Sequence, residues 1–312
     1  MKLEFTRGPK VRPPPRIVVY GDAGVGKTTL GANAPNSVIV PTEDGALGAD
    51  APLMPKHKVK TWQELLDTVR SLLVDEHDRQ WVVIDTINGA STLCAQHVCN
   101  RDFGGRWESI RGAEGYNAWA RGPKETAREI VVLLDLLDGL QQKRDMGVML
   151  LAHAAPVKQS NMFGADFYES APSLDKPVLE IVKAWADQIA YAGREVRAAT
   201  RDGERRAKVS MVSDARHLWF EGQPGIVAKN RIGYEMPARI LLDWDTYEAE
   251  LNRDHTSDFV AQALEMCGQA DETAHEIVRK RLGGEISSEA LEKIGVKKLQ
   301  ALIGWLLKRS EA

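Results

Sequence analysis

The sequence predicts an α/β protein whose mostly parallel central sheet carries an added antiparallel hairpin, followed by a small helical appendage. Three observations predict it. Short β-branched apolar runs recur between residues 16 and 240, amphipathic helical stretches alternate with them, and beyond about Glu250 the pattern becomes helical alone. The expected divisions are an extended arm over residues 1–15, an α/β core over 16–250 and a small helical domain over 251–312.

Pro13, Pro14 and Pro15 lack backbone donors and favour extended geometry, which makes the first segment an arm. Residues 17–20, Ile-Val-Val-Tyr, stand just before a glycine-rich turn and look like a strand buried on both faces. Similar runs lie at 38–40, 81–84 and 147–151. Between them, Thr61 and Glu64 form a capping box ahead of Trp62, Leu65, Leu66, Val69, Leu72 and Leu73 at helical spacing, and residues 124–143 repeat the pattern with Ile130, Leu133, Leu134, Leu137 and Leu140. Strands separated by such helices predict right-handed crossovers. Residues 196–200 and 207–212 flank Asp202-Gly203, a hairpin signal. The tail reads as helices, with a stop at Gly268, a break at Gly283-Gly284 and a last stripe of Val296, Leu299, Leu302, Ile303 and Leu306.

Gly21, Asp22, Ala23, Gly24, Val25, Gly26, Lys27 and Thr28 fit G-x-x-x-x-G-K-[ST] between a predicted strand and a helix expected from near Lys27, and Thr29 adjoins them. Glycines there let successive N–H groups turn inward, so that the loop and the helix N-terminus hold the phosphates of ATP. Lys27 supplies a point charge and Thr28 a hydroxyl for Mg2+. Such a loop needs an acid at the end of a neighbouring strand, and Asp85 after residues 81–84 supplies it, followed by Thr86. Asp85 serves equally well as a helix cap, and the two uses do not compete.

Further along, Thr42-Glu43-Asp44-Gly45 follows the second strand, His153 ends the strand containing residues 147–151, and Ala228-Lys229-Asn230-Arg231 lies beyond the hairpin. In this order the chain resembles the RecA family, and most closely the phage-encoded, Sak-type single-strand-annealing group, over about residues 16–240. The resemblance implies a RecA-like fold and gives each position a role. Glu43 becomes the glutamate that activates the attacking water, with Asp44 in reserve. His153 takes the place of the commoner glutamine that senses the γ-phosphate, and Lys229 and Arg231 become fingers reaching a neighbouring subunit's site. It implies ATP-linked work on single-stranded DNA by a homo-oligomer, ring or filament, in phage recombination. A solvated basic turn is the competing reading of residues 228–231, and a local hydrogen-bonder that of His153.

The family's two DNA loops correspond to about residues 100–121 and 154–177. The first offers Arg106, Trp107, Arg111 and Trp119, a mixture suited to phosphate contact and base stacking, and the second offers Lys158 with Asn161 and Phe163. Tryptophan is more often a core anchor. The hairpin's Arg194, Arg197, Arg201, Arg205, Arg206 and Lys208 are the densest basic group, by default a solvated face. The tail's Lys293, Lys297, Lys298, Lys308 and Arg309 flank an apolar stripe able to dock a single-strand-binding protein, or they complement a helix C-terminus.

Composition narrows the classes. A formal net charge of -3 over 312 residues gives no bulk attraction to nucleic acid. Three cysteines, an odd number with no second pair to join Cys94 and Cys99, read as buried thiols rather than a zinc site. No apolar run approaches the roughly 20 residues of a membrane span, and no signal-like run opens the chain, so the expected location is cytoplasmic, in the host cell if the protein is phage-encoded. Three other functions remain open: a DNA motor or helicase-loading ATPase, a small-molecule phosphotransferase, and a nucleotide-gated assembly protein with little turnover.

Overall fold

The computed structural model describes residues 13–108, 114–159, 166–199, 208–223, 225–231, 236–253, 256–294 and 296–310. Most of the arm, together with Arg111, Asn161, Phe163, Arg201, Arg205 and Arg206, lies outside the described residues, as do the side chains of Arg197, Lys208, Lys297 and Lys308. The chain divides after Glu248 into two compact units.

In the first unit the order is β1 (Arg16–Gly21), α1 (Lys27–Ala32), β2 (Ser37–Pro41), α2 (Trp62–Val74), β3 (Trp81–Asp85), α3 (Ile87–Phe103), α4 (Arg121–Arg144) and β4 (Gly147–Gln159). It continues with β5 (Phe167–Pro172), α5 (Lys176–Trp185), β6 (Gln188–Ala199), β7 (Lys208–Trp219), β8 (Lys229–Asn230) and β9 (Arg239–Leu241), and α6 (Trp244–Asn252) follows. The sheet runs β2-β3-β4-β1-β6-β7-β9, with β2, β3, β4, β1 and β6 parallel and β7 antiparallel to β6. The α/β class, the mostly parallel sheet and the added hairpin are as the sequence predicts.

The strands form where they do because both faces are covered. Ile17, Val18, Val19 and Tyr20 are fully buried, and α2 and α4 lay Trp62, Leu65, Val69, Ile130, Leu133 and Leu137 into the core that Val18 and Tyr20 enter. Each large side chain so buried stabilises the fold by about 1.5–3 kcal/mol. Thr61 caps α2, its hydroxyl accepting Glu64 N–H at 3.1 Å. The reciprocal half of the expected capping box is displaced by one residue, since the Glu64 carboxylate accepts from Lys60 N at 2.8 Å and also meets His57.

Three expectations change. The strand containing residues 147–151 continues to Gln159 and returns as β5, pairing Ala154 with Pro172 and Gln159 with Phe167, so the expected second loop is largely a hairpin. The segment Phe-Tyr-Glu-Ser-Ala-Pro does not alternate apolar with polar residues, so it carries no strand period, and Phe167 and Tyr168 stay exposed. After it, Pro177 in the first turn and buried Val178, Leu179 and Val182 make α5, a helix the periodicity reading passed over. The expected first loop is shorter, because α3 runs to Phe103 and a 3-10 turn at Ala118–Ala120 leads into α4.

The second unit holds α7 (Thr256–Gln269), α8 (Glu272–Leu282), α9 (Ser288–Ile294) and α10 (Val296–Ser310) around Val260, Cys267, Val278, Leu291, Leu299 and Leu302. α7 passes through Gly268 and stops one residue later, whereas Gly283 ends α8 at φ 74° as expected. Arg309 stands in the last turn of α10, as expected, and bonds the Asp271 carboxylate at 3.2 Å at the N-terminus of α8. Cys94, Cys99 and Cys267 are free and buried, and burial pushes all three thiols up. Among the described residues no helix is long and apolar enough to cross a membrane.

Candidate nucleotide-binding site

Strand register builds the site. Gly21 lies opposite His153, Asp85 opposite Leu151, and Pro41 opposite Asp85, so β1, β3 and β2 end on one rim and β4 runs on past it. β4 runs between β1 and β3, which puts His153 between the glycine-rich loop and Asp85.

The loop over residues 21–28 folds around two left-handed glycines, Gly24 at φ 74° and Gly26 at φ 112°. Gly26 is also the N-cap of α1 and has no side chain with which to cap it, so the first N–H groups of the helix lack intrahelical partners. Lys27 is buried and its Nζ donates to Gly21 O and Asp22 O, both at 2.8 Å. Burial pushes its pKa down, while Asp85, Asp22 and Glu43 oppose that shift.

Asp85 is buried at the end of β3 and accepts a 2.7 Å hydrogen bond from Thr28 Oγ1. Burial pushes its carboxyl above the usual carboxylate range and Glu43 pushes the same way; the Thr28 hydroxyl, Lys27 and His153 work against it. Thr86 caps α3, its hydroxyl accepting from Gly89 N at 3.1 Å and donating to Glu43 Oε1 at 2.6 Å. The other Glu43 oxygen meets His153 Nε2 at 2.9 Å. His153 is oriented in turn by Asn88, whose Oδ1 accepts its backbone N–H at 2.9 Å.

Thr42 locks the ends of β2 and β3 together, donating to Thr86 O at 2.6 Å and accepting Thr86 N at 2.7 Å. A Cβ on Gly89 would stand 2.4 Å from Thr42 Oγ1, so this approach requires glycine at that position. Asp44 turns away to pair with Lys58 at 2.9 Å, which leaves Glu43 as the acid facing the cluster.

These residues fit a nucleotide with a divalent cation. Loop N–H groups and Lys27 suit phosphate, and the Thr28 hydroxyl beside a carboxylate short of solvation suits a hard cation. Among the described residues no cluster of three or more His, Cys, Asp or Glu side chains could hold a metal. A cation here would therefore depend on Thr28, Asp85 and the nucleotide's own oxygens.

The profile of a family described as an AAA domain matches residues 13–232, about 70% of the chain. The chain belongs to this family. As an AAA domain it is a P-loop ATPase in general terms, the class that binds nucleotide, usually with Mg2+. Among solved structures, the RadB recombinase matches 66% of this AAA chain and 80% of its own, at 14% identity and a TM-score of 0.38. No curated protein matches.

Other sequence candidates fall elsewhere on the AAA domain. Lys229 lies opposite Ile189, itself opposite Val18, at the far end of the sheet from Gly21. There Lys229 Nζ donates to Lys183 O and to Ala186 O, and Arg231 Nη1 donates to Ala184 O at 2.9 Å, so the pair caps the C-terminus of α5. Trp107 packs on Tyr116 at 4.7 Å against the core, whereas Trp119 is 81% exposed. Arg106 pairs with Glu114 at 3.5 Å and Lys158 with Asp166 at 2.7 Å. Sequence reasoning gave Thr42 and Asn88 no role, and it missed Arg216, whose Nη1 donates to Val25 O at 3.0 Å. Nothing local marks Arg216, which is 191 residues from its acceptor.

Proposed function

We propose that this chain is a RecA-like ATPase that binds single-stranded DNA and promotes annealing or pairing in recombination of the kind phages carry out. The observation that supports it most is the convergence of Lys27, Thr28, Asp85, Glu43 and His153 on one rim of the sheet, from separate places in the sequence.

In this reading the loop N–H groups and Lys27 hold the phosphates, and Thr28 and Asp85 hold Mg2+, which when bound neutralises phosphate charge. Glu43 orients water and takes its proton, a role worth roughly 10²–10⁴-fold in rate. Thr86 and His153 fix the carboxylate in place. Lys229 and Arg231 are too far along β6 to serve their own site, so they act on a neighbouring copy or only as helix caps. A trans-acting arginine is worth about 10³–10⁵-fold, which would make turnover depend on assembly into a homo-oligomer, ring or filament. Trp119 is the aromatic best exposed for stacking on a base, and Arg106 and Lys158 offer charge for DNA only if they leave their acidic partners. The helical unit after Glu248 is a candidate dock for a single-strand-binding protein.

One observation favours a second reading. Both Glu43 oxygens are already engaged, by Thr86 and by His153, which suits an assembly protein that binds ATP and turns it over slowly.

The test is ATP hydrolysis with and without single-stranded DNA, with Lys27→Ala and Arg231→Ala as controls and DNA binding followed by fluorescence anisotropy. Stimulation by DNA that both variants lose supports a trans-activated recombination ATPase. Absence of DNA binding in every nucleotide state removes the recombination reading and leaves the ATPase.

A further inference from the structure

The phosphate loop is held from outside as well as from within. Arg216 lies on β7 beyond the end of β1, where the β6–β7 hairpin runs past the loop, and its guanidinium donates to Val25 O at 3.0 Å. A Cβ on Gly26 would stand 3.1 Å from the same nitrogen, so the guanidinium is in close contact with the Val25–Gly26 peptide. Among the described residues no carboxylate pairs with Arg216. Glu195, next to its cross-strand neighbour Arg194, bonds Arg239 instead, at 2.9 Å. Two arginines facing each other across a rung repel, so an ion pair does not account for where Arg216 sits.

Peptide planarity gives this contact a meaning. In a trans peptide the C=O and the following N–H point in opposite directions. Holding Val25 O outward against Arg216 therefore aims Gly26 N–H at the opposite side of the peptide, into the loop, and among the described residues no protein acceptor takes that N–H. Gly26 has only its own permissive backbone, at φ 112°, to keep the peptide from turning. A charged donor on the carbonyl also polarises the amide and strengthens the N–H as a donor.

We propose that Arg216 is a positioning residue of the nucleotide site, acting in cis through the Val25–Gly26 peptide to preorganise the loop for the phosphates of a nucleoside di- or triphosphate. This rests on the nucleotide-binding reading of the loop. It assigns Arg216 no contact with the nucleotide itself.

The experiment measures ADP affinity by calorimetry, in the presence of Mg2+, for the full chain and for Arg216→Met, Arg216→Lys and Arg194→Met, with steady-state ATP hydrolysis and thermal melting of each. Arg216→Met is expected to raise the ADP Kd and the KM for ATP about tenfold, to change kcat less than threefold, and to melt within a few degrees of the parent. Arg216→Lys, which keeps a charged donor, is expected to recover most of the affinity. Arg194→Met removes the same charge from the same rung without touching the loop and is expected to leave the ADP Kd within twofold. If Arg216→Met does not fold, Arg216→Gln takes its place with the same expectations.

An ADP Kd within twofold of the parent in the folded Met or Gln variant overturns the inference. So does an equal loss in Arg194→Met, which would make the effect one of net charge. Failure of the parent chain to bind ADP at all is a different result, because it removes the nucleotide-binding reading itself.

Discussion

At the rim where β1 and β3 end and β4 passes, the side chains of Lys27, Thr28, Asp85, Glu43 and His153 are each held by one or two hydrogen bonds. At the opposite rim the same residue types close on themselves. Asp187 accepts from Arg16 N, Nε and Nη2 at 2.8–3.0 Å, and Asp138 accepts both from Arg16 and from the Trp185 indole. Lys229 and Arg231 complete that network on the last carbonyls of α5. The first group has donors to spare, since an ammonium has three and Lys27 spends two on its own loop. The second joins α4, α5, β1 and β6 where no glycine-rich loop opens. Charge density alone does not distinguish a site from a clasp; what differs is whether the partners are exchangeable.

That contrast can be broken by experiment. The largest effect expected is for Glu43→Gln, which should lower DNA-stimulated turnover by roughly 10²–10⁴-fold with little change in melting temperature; normal turnover in this variant would favour the slow-turnover assembly reading. Next, Asp187→Asn should cost about 1.5–3 kcal/mol in urea unfolding, as expected for hydrogen bonds to a charged group. The lower end of that range applies because both side chains keep 22% exposure. Its turnover per folded molecule should be unchanged, and a selective loss of turnover would mean that the lower rim is also part of the site.

How much of this was legible follows from how local each feature is. The phosphate loop is eight consecutive residues between a strand and a helix, and Asp85 and Glu43 each closely follow a β-branched run. The Glu43–His153 contact spans 110 residues and exists only because the sheet order brings β2, β3 and β4 side by side. The β4–β5 hairpin was hidden because β5 sets two exposed aromatics ahead of Glu-Ser and Ala-Pro, so apolar alternation never develops there. Lys229 and Arg231 look alike in sequence whether they cap a helix or reach a neighbour, and Trp107 and Trp119 differ only by which of them finds Tyr116.

Two smaller effects sharpen the comparison. Burial brings the Lys229 pKa down from 10.5 to about 8, with Arg231 pushing the same way. Between those values the unfolded chain binds more protons than the folded one, so this lysine's contribution to stability rises with pH from about 8 to 10.5. Lys229→Met should flatten the stability profile in that window and leave it unchanged below; an unchanged profile would mean that the ammonium has left the α5 carbonyls. The smallest stability change is expected for Trp119→Ala, within about 0.5 kcal/mol, because the side chain is open to solvent. If Trp119 stacks on a base, the same variant weakens single-stranded DNA binding by about 1–3 kcal/mol.

The three buried cysteines have a practical consequence for studying the molecule. Thiolates, not thiols, attack alkylating reagents, and burial of Cys94, Cys99 and Cys267 both blocks access and keeps the thiols protonated. Their rate of labelling thus becomes a clock for opening, Cys94 and Cys99 timing the α/β unit and Cys267 the helical one. A single cysteine introduced at exposed Tyr168 would react well ahead of all three, so a dye could be attached beside the β4–β5 turn without first removing any native cysteine.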